Sequence, residues 1–510
     1  MKQLLICLAI LFFSFKYSGQ IQQNVNVNFQ PPQYVDETFG NNGLALFGVP
    51  PQTDGIKGIA LQSNGKIVAV GTKNNKQFYV MRLNSDGSLD LTFGQNGIIE
   101  DSLIGEALGA HISVDQFDRI IVTGTVNHGF GQEDIFVVRT MPDGSYDHTF
   151  GVQGVFIAYV SEVGSIVKRS LGKKIRFLPD GSLLIGGGFS YQINYFDFAA
   201  FKITPNGQFD SSFGTNGYVY YHVSGFNSLG DITIQTDGKI LLTGSTFNPI
   251  QAPVLRLNAD GSLDSTFADN GLSLHDFTTS TQNCNSIKQL ADGKIIVGGS
   301  YGTPSYESIF LYRLDENGLI DSSFANNGFA IYNFGAFDKL ASLHMLVNGD
   351  MLLLGFSDDK ILLVCVDSNG ALKTNFGHNG KFLIDIEPYQ LMQMYTCIQA
   401  DGKILLAGLT KLSFYSFHGF IRLDLSNTIT NTPIVSKNQL RVYPNPASDN
   451  LNLFLPNDLS NVTCIFNDNL GREVARHIIS GGQNSLDIHT LEKGIYFINF
   501  EGSETKFIKN

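Results

Sequence analysis

Leu83-Asn84-Ser85-Asp86-Gly87-Ser88-Leu89-Asp90-Leu91-Thr92-Phe93-Gly94-Gln95-Asn96-Gly97 returns, nearly unchanged, as Leu257-Asn258-Ala259-Asp260-Gly261-Ser262-Leu263-Asp264-Ser265-Thr266-Phe267-Ala268-Asp269-Asn270-Gly271. Its core, Thr/Ser/Asn-Phe-Gly/Ala-x-x-Gly, occurs seven times. The Phe is Phe39, Phe93, Phe150, Phe213, Phe267, Phe324 and Phe376, at intervals of 54, 57, 63, 54, 57 and 52 residues. A long fixed period of this kind decides the architecture before any single residue does.

Within each unit the order is constant. A short strand such as 56–62 leads to a turn (Asn64-Gly65, Asp237-Gly238, Asp292-Gly293, Asp401-Gly402) of the kind that closes two-residue hairpins. An apolar strand follows and is expected to end in a Gly: Gly71, Gly124, Gly187, Gly244, Gly299, Gly355 or Gly408. A variable loop leads to a third strand. A second turn (Asp86-Gly87, Asp143-Gly144, Asp260-Gly261) leads to the Phe motif and a fourth strand. Four antiparallel strands repeated seven times predict an all-β, seven-bladed β-propeller over residues 34–425. The chain enters this region in mid-repeat at Phe39 and leaves it in mid-repeat after Arg422, so the opening segment is expected to supply the last blade's missing strand.

The pattern resembles the bacterial delta-60 repeat family, whose units carry the same "LN.DGSLD.TFG.NG" string. The resemblance covers about 36–425 and implies the repeat, not a ligand.

Composition agrees. The 510 residues are 43% hydrophobic and 16% charged, with 54 Gly, 40 Phe and no Trp. That suits a large core of short strands and many turns. The formal net charge is −12 without any basic run, so nucleic acid is not an expected partner.

The repeats also align a charge pair. Arg82, Arg139, Lys202, Arg256 and Arg313 are each followed eight residues later by Asp90, Asp147, Asp210, Asp264 and Asp321. Unit six has Cys365 and Lys373 there, losing both members. Unit seven has Arg422, and its carboxylate is expected from Asp36 across the closure. These read as structural ion pairs, with Arg gripping carboxylate in its planar fork.

The ends read as address labels. Lys2, the apolar run Leu4 to Phe15 and Ser18-Gly19 predict a secretory leader over 1–19, too short an apolar run for the ~20 residues of a membrane span. No transmembrane segment is expected. Residues 426–438 read as a linker. In 439–510, Tyr443-Pro444-Asn445-Pro446, alternating Leu451, Leu453 and Leu455, Asn469-Leu470-Gly471-Arg472-Glu473, Leu491-Glu492-Lys493-Gly494-Ile495-Tyr496 and a basic end predict a small β-sandwich. These motifs resemble the type A C-terminal sorting domain of the Bacteroidetes type IX secretion system. The resemblance implies a secretion-machinery partner and a protein that is extracellular or attached to the outer-membrane surface.

Chemistry is sparse. No HExxH, HxH, Cys-x-x-Cys, GxSxG or P-loop spacing occurs, so no metal, cofactor or catalytic residue is nominated. Cys284, Cys365, Cys397 and Cys464 are too few and too far apart for a disulfide framework; free thiols or one incidental bridge are both compatible. In a closed ring the repeated turns share one face. The variable loops share the other and carry Tyr191, Tyr195, Phe196, Tyr301, Tyr306, Phe414, Tyr415 and Phe417. The expected function is a non-enzymatic binding module for an extracellular protein or glycan. The alternative is a secreted propeller enzyme, a polysaccharide lyase or glycosidase, needing paired carboxylates or a His/Tyr/Arg cluster that spacing does not reveal.

Overall fold

The second and third strands of a unit, such as Ile67–Lys73 and Gln77–Leu83, are buried on both faces, so a neighbouring sheet must cover each side. The structure is a computed structural model. It describes residues 22–23, 32–48, 55–425 apart from 74–75, 101–105, 130, 161–168, 193–194, 248, 278–280, 304, 347 and 413–414, and 441–509 apart from 444–446, 456–461, 469–471, 480–481 and 501–502. The expected leader 1–19, the linker 426–438, Pro444-Asn445-Pro446 and Asn469-Leu470-Gly471 lie outside the described residues.

Unit one pairs Ile56–Leu61, Ile67–Lys73, Gln77–Leu83 and Ile98–Glu100 in that order, all antiparallel. Units two to six repeat this plan. The seventh pairs Tyr395–Ile398, Ile404–Leu412 and Tyr415–Leu423, and its fourth strand is Leu44–Gly48 from the start of the chain. Leu44 faces Ile421 and Gly48 faces Phe417. First strands of successive units pack on one another all the way round, with unit seven packing on unit one. They therefore form the inner ring.

Each motif Phe lies in a different inter-unit core. Phe93 packs between units one and two, Phe150 between two and three, and Phe213 between three and four. Phe267, Phe324 and Phe376 follow in order, and Phe39 packs between seven and one with Phe47, Ile56, Tyr79 and Phe420. Seven shared cores close the circle.

Above each Phe sits the ion pair. Nε of Arg82, Arg139, Arg256, Arg313 and Arg422 lies 2.7, 2.8, 2.7, 2.7 and 2.7 Å from Asp90, Asp147, Asp264, Asp321 and Asp36. Lys202 reaches Asp210 at 2.8 Å. The Arg fork also donates forward into the next blade's second turn, Arg139 to the Pro205 carbonyl at 2.7 Å and Arg313 to Ser368 at 2.6 Å, while Arg422 bonds the Ser85 carbonyl of blade one. Each guanidinium rests on its motif Phe, from 4.3 Å (Arg256 on Phe267) to 4.9 Å (Arg313 on Phe324). Among the described residues, the residue after six of the seven motif Phe, all but Phe376, donates its N–H to the same neighbouring turn, as Gly40 does to Asp86. One motif thus latches two blades.

Unit six has not lost the pair but reversed it. The residue entering strand two is Lys66, Arg119, Lys239, Lys294 or Lys403 in other units and gives the carboxylate a second cation. In unit six it is Asp350, 3.2 Å from Lys373, which occupies the usual acidic position.

Two local expectations change. Strand two does not end at its Gly: Ile120–Gly129 and Ile295–Thr303 run on past Gly124 and Gly299. The first strand bulges opposite that Gly, skipping Ala110 in unit two and Asn285 in unit five. The bulged backbone fills the Cβ position. An added carbon at Gly187 would sit 1.7 Å from the Leu171 oxygen, and one at Gly355 would sit 1.9 Å from that of Lys339. The Asn/Asp-Gly turns are also not two-residue hairpins. Only the Gly has positive φ (Gly65, 79°), and Gly65 N–H bonds Gln62 while Gln62 N–H bonds Lys66. That is a type I turn with a left-handed Gly, a three-residue loop.

In the C-terminal region, Arg441–Tyr443, Asn450–Leu455 and Gly482–Asp487 form one sheet. Glu473–Ile479, Val462–Asp468, Gly494–Phe500 and Ser503–Lys509 form another. Leu451, Leu453, Cys464, Phe466, Tyr496, Ile498 and Phe507 fill the core between them. Cys284, Cys365, Cys397 and Cys464 are not joined in disulfides.

Asp36 and Arg422 are both buried, so breaking the pair from either side is expected to cost roughly 3–5 kcal/mol. Thermal melts of Asp36→Ala, Arg422→Ala and the double variant should show the double scarcely worse than the worse single; additive losses would reject the clasp. For the reversed pair, Lys373→Asp should lose about 1 kcal/mol, and adding Asp350→Lys should restore most of it in urea titrations.

Candidate functional site

The latch consumes its own charge. Burial alone would raise Asp36, but the Lys403 ammonium, the Thr38 hydroxyl and N–H, and the Arg422 guanidinium hold it well below the usual carboxylate range. Asp90, Asp264 and Asp321 are held low in the same way. Asp210 falls to about 2, with Lys202 and Ser212 bonding its carboxylate. A saturated pair has nothing left to offer a ligand.

Two other regions of the ring keep unused side chains. The first is the face from which the variable loops emerge. Tyr195 is 54% exposed and Tyr306 38% exposed there. The Tyr306 hydroxyl accepts bonds from Ser308 (2.7 Å) and Asn333 (2.8 Å), which fix its ring. Tyr159, 67% exposed, stacks on His128 at 5.7 Å between centroids. Phe337 and Met392 are also exposed on this face.

Other loop aromatics are placed differently. Phe196 is buried, under the Arg169 guanidinium at 5.0 Å and beside Phe226, because it falls on an inward position of Tyr195–Ile203. Tyr301 lies within Ile295–Thr303 and packs on Phe310, and burial raises its phenol. Phe417 is buried against the closing strand. Phe414 lies outside the described residues, as do the side chains of Tyr191 and Tyr415.

The second region is the inner ring, on the side of the bulge toward the repeated turns. His111, Lys174 with Arg176, Asp231, Lys288 and His344 come from the first strands of units two to six. Arg176 bonds Asp231 Oδ1, the Ile287 N–H donates to Oδ2 at 3.3 Å, and Lys288 Nζ stands 3.5 Å from Oδ2. Burial would raise Asp231, but Arg176, Lys288 and Lys174 outweigh it and keep the carboxylate ionised. Burial, with Lys174 and Arg176 adding to it, pushes His111 well below its usual value. Burial and Lys288 bring His344 to about 4. Both imidazoles are neutral at pH 7.

Sequence reading passed over this cluster because it does not repeat. At the position of His111 the units carry Gly58, His111, Lys174, Asp231, Ser286 and Ser342. The available signal was that variety itself, polar residues at one register position of strands that otherwise keep Ile or Leu.

Residues 62–93, 118–150, 178–213, 235–267 and 290–324 match the domain of unknown function (DUF5122) beta-propeller, and residues 441–510 match the secretion system C-terminal sorting domain. The chain carries DUF5122 β-propeller repeats and a secretion-system sorting tail. The DUF5122 segments are units one to five. The two units beyond them are the charge-reversed sixth and the seventh, which is split between the two ends of the propeller.

The tail marks a protein exported by the type IX system, to the cell surface or the medium, and implies contact with that machinery. No helix among the described residues is long and apolar enough to cross a membrane.

No curated protein matches the chain. Among solved structures it is similar to PorZ, a surface component of the type-IX secretion system of Porphyromonas gingivalis (9% identity, TM-score 0.38, covering 92% of this chain and 64% of that one). It is also similar to the polysaccharide lyase Uly1 (11%, 0.44, 79% and 94%) and to a gluconolactonase from Xanthomonas campestris (11%, 0.35, 79% and 98%). The chain spans only 64% of the length of PorZ, and none of the three likenesses bears on what it does.

Burial takes His275, His344 and His418 from 6.5 to about 4. Between those values the unfolded chain binds protons that the folded chain refuses. Stability is therefore full above pH 6.5 and falls as pH drops toward 4, where the latch carboxylates begin to add to the loss. Urea midpoints measured from pH 7.5 to 4 should decline, and His418→Gln, which keeps a polar partner for the Tyr79 hydroxyl (3.0 Å from His418), should flatten the slope.

Proposed function

We propose that this exported propeller is a non-enzymatic binding module that engages an extracellular protein or glycan through its variable-loop face. The observation that carries this reading is the contrast between the two faces. On one, units one to six repeat the same turn, closed by its own backbone hydrogen bonds and bonded to the preceding blade. On the other, loops of differing length and content expose Tyr159, Tyr195 and Tyr306 on a frame fixed by seven shared cores. Tyrosines with an apolar ring and a polar tip supply contact area at low entropic cost. Rigid support beneath variable loops is a common basis for recognition.

The test is a glycan array and a panel of purified surface proteins probed with the full exported chain. Tyr195→Ala and Tyr306→Ala together should weaken the best ligand at least tenfold. As exposed positions, they should change stability by under about 1 kcal/mol. Release of new chain ends from a bound polysaccharide would replace this reading with the enzymatic one.

A further inference from the structure

The protein is acidic, at −12, yet its inner ring is not. From the bulge toward the repeated turns, the described first strands carry Lys57, Lys173, Lys174, Arg176 and Lys288 against the single carboxylate of Asp231. That carboxylate is already taken up by Arg176 and the Ile287 N–H.

Of the remaining cations, Lys57 and Lys173 have only neutral partners, and Lys174 and Lys288 share Asp231 with Arg176 as their one nearby carboxylate. Lys57 donates to Gln393 Oε1 at 3.3 Å. Lys173 donates to Ser228 Oγ at 2.9 Å and the Leu229 carbonyl at 3.4 Å. Lys288 keeps its long 3.5 Å approach to Asp231. Lys174 makes no ion pair among the described residues. Beside them, Nδ1 of His111 is buried without a hydrogen-bond partner. Burial depresses Lys174 and Lys288 against the pull of Asp231, Arg176 repels both, and Lys288 repels Lys174 as well.

Half-buried like charges that outnumber their counter-charge are costly, and fixed cations on low-dielectric walls focus a positive field. An anion would relieve both the repulsion and the unpaired imidazole.

We propose that the ring interior is an oxyanion site, taking a carboxylate, sulfate or phosphate group between Lys174 and Lys288, with Lys173 and Lys57 on its rim and the neutral His111 ring as a hydrogen-bond donor. These residues lie at the bulge (Lys57, Lys173) or past it and are distinct from the loop-face tyrosines, so this site stands whether or not that face binds a macromolecule. Ammonium groups suit it because they act as point charges for any oxyanion without demanding the flat bidentate fit of Arg.

The full chain is titrated by calorimetry and thermal shift with inorganic phosphate, sulfate and glucuronate, against chloride at matched ionic strength. At least one should bind saturably and raise the melting temperature. Lys174→Met and Lys288→Met should each weaken that binding at least tenfold. Lys174→Met should also melt at or above the parent in anion-free buffer, because it removes an unpaired charge and keeps the apolar stem. Preference for glucuronate identifies a sugar acid as the source, and preference for phosphate or sulfate identifies a free inorganic anion; both support the site. It is overturned if no oxyanion binds saturably, or if Lys174→Met costs no more affinity than the exposed control Lys493→Met.

Discussion

One guanidinium, repeated around the circle, holds the architecture together. Arg82 and its counterparts are shared three ways: with a carboxylate eight residues on, with a carbonyl of the next blade, and with the face of a Phe wedged between the two. An ion pair inside one sheet would only stiffen that sheet. By adding the forward hydrogen bond, each of the five Arg units registers its successor, the last when Arg422 meets blade one. The Phe supplies the apolar contact, the Arg its direction, and the Asp neutralises the buried charge so that neither is left stranded.

The charge-reversed sixth unit shows what the latch position requires. Lys373 and Asp350 exchange signs and still meet, while Cys365 replaces the Arg and is buried. What the site demands is neutrality between two neighbouring strand ends. The forward Arg bond and the stacking on Phe are then absent from that unit, and Phe376 is held by Phe382 instead, edge to face at 4.8 Å.

Much of this could be read from the chain because it repeats. The eight-residue spacing places Arg and Asp on adjacent strand ends, and Asp36 three residues before Phe39 predicts where the circle shuts. What escaped notice were features without a one-letter signature. The Gly of strand two reads as a terminator, yet it is required by a bulge on a different strand, whose carbonyl enters its Cβ space. The second cation, Lys66 or Lys403, precedes its strand and looks like an ordinary turn residue. The inner-ring cluster draws single residues from five units, and no periodic search gathers His111, Lys174, Asp231, Lys288 and His344. The loop aromatics divide by strand parity, with Tyr195 pointing out and its neighbour Phe196 in.

The pairing of Leu44–Gly48 with Tyr415–Leu423 carries a temporal consequence. Asp36 and Arg422 stand 386 positions apart, so the segment made first must wait for the segment made last. Every other blade of the propeller assembles from neighbours in the chain, and only this one needs a contact spanning the whole ring. A ribosome that stops short of residue 415 leaves six finished sheets and a gap. Full-length synthesis is thereby written into the geometry, and an incomplete product advertises itself by two unpaired strand edges.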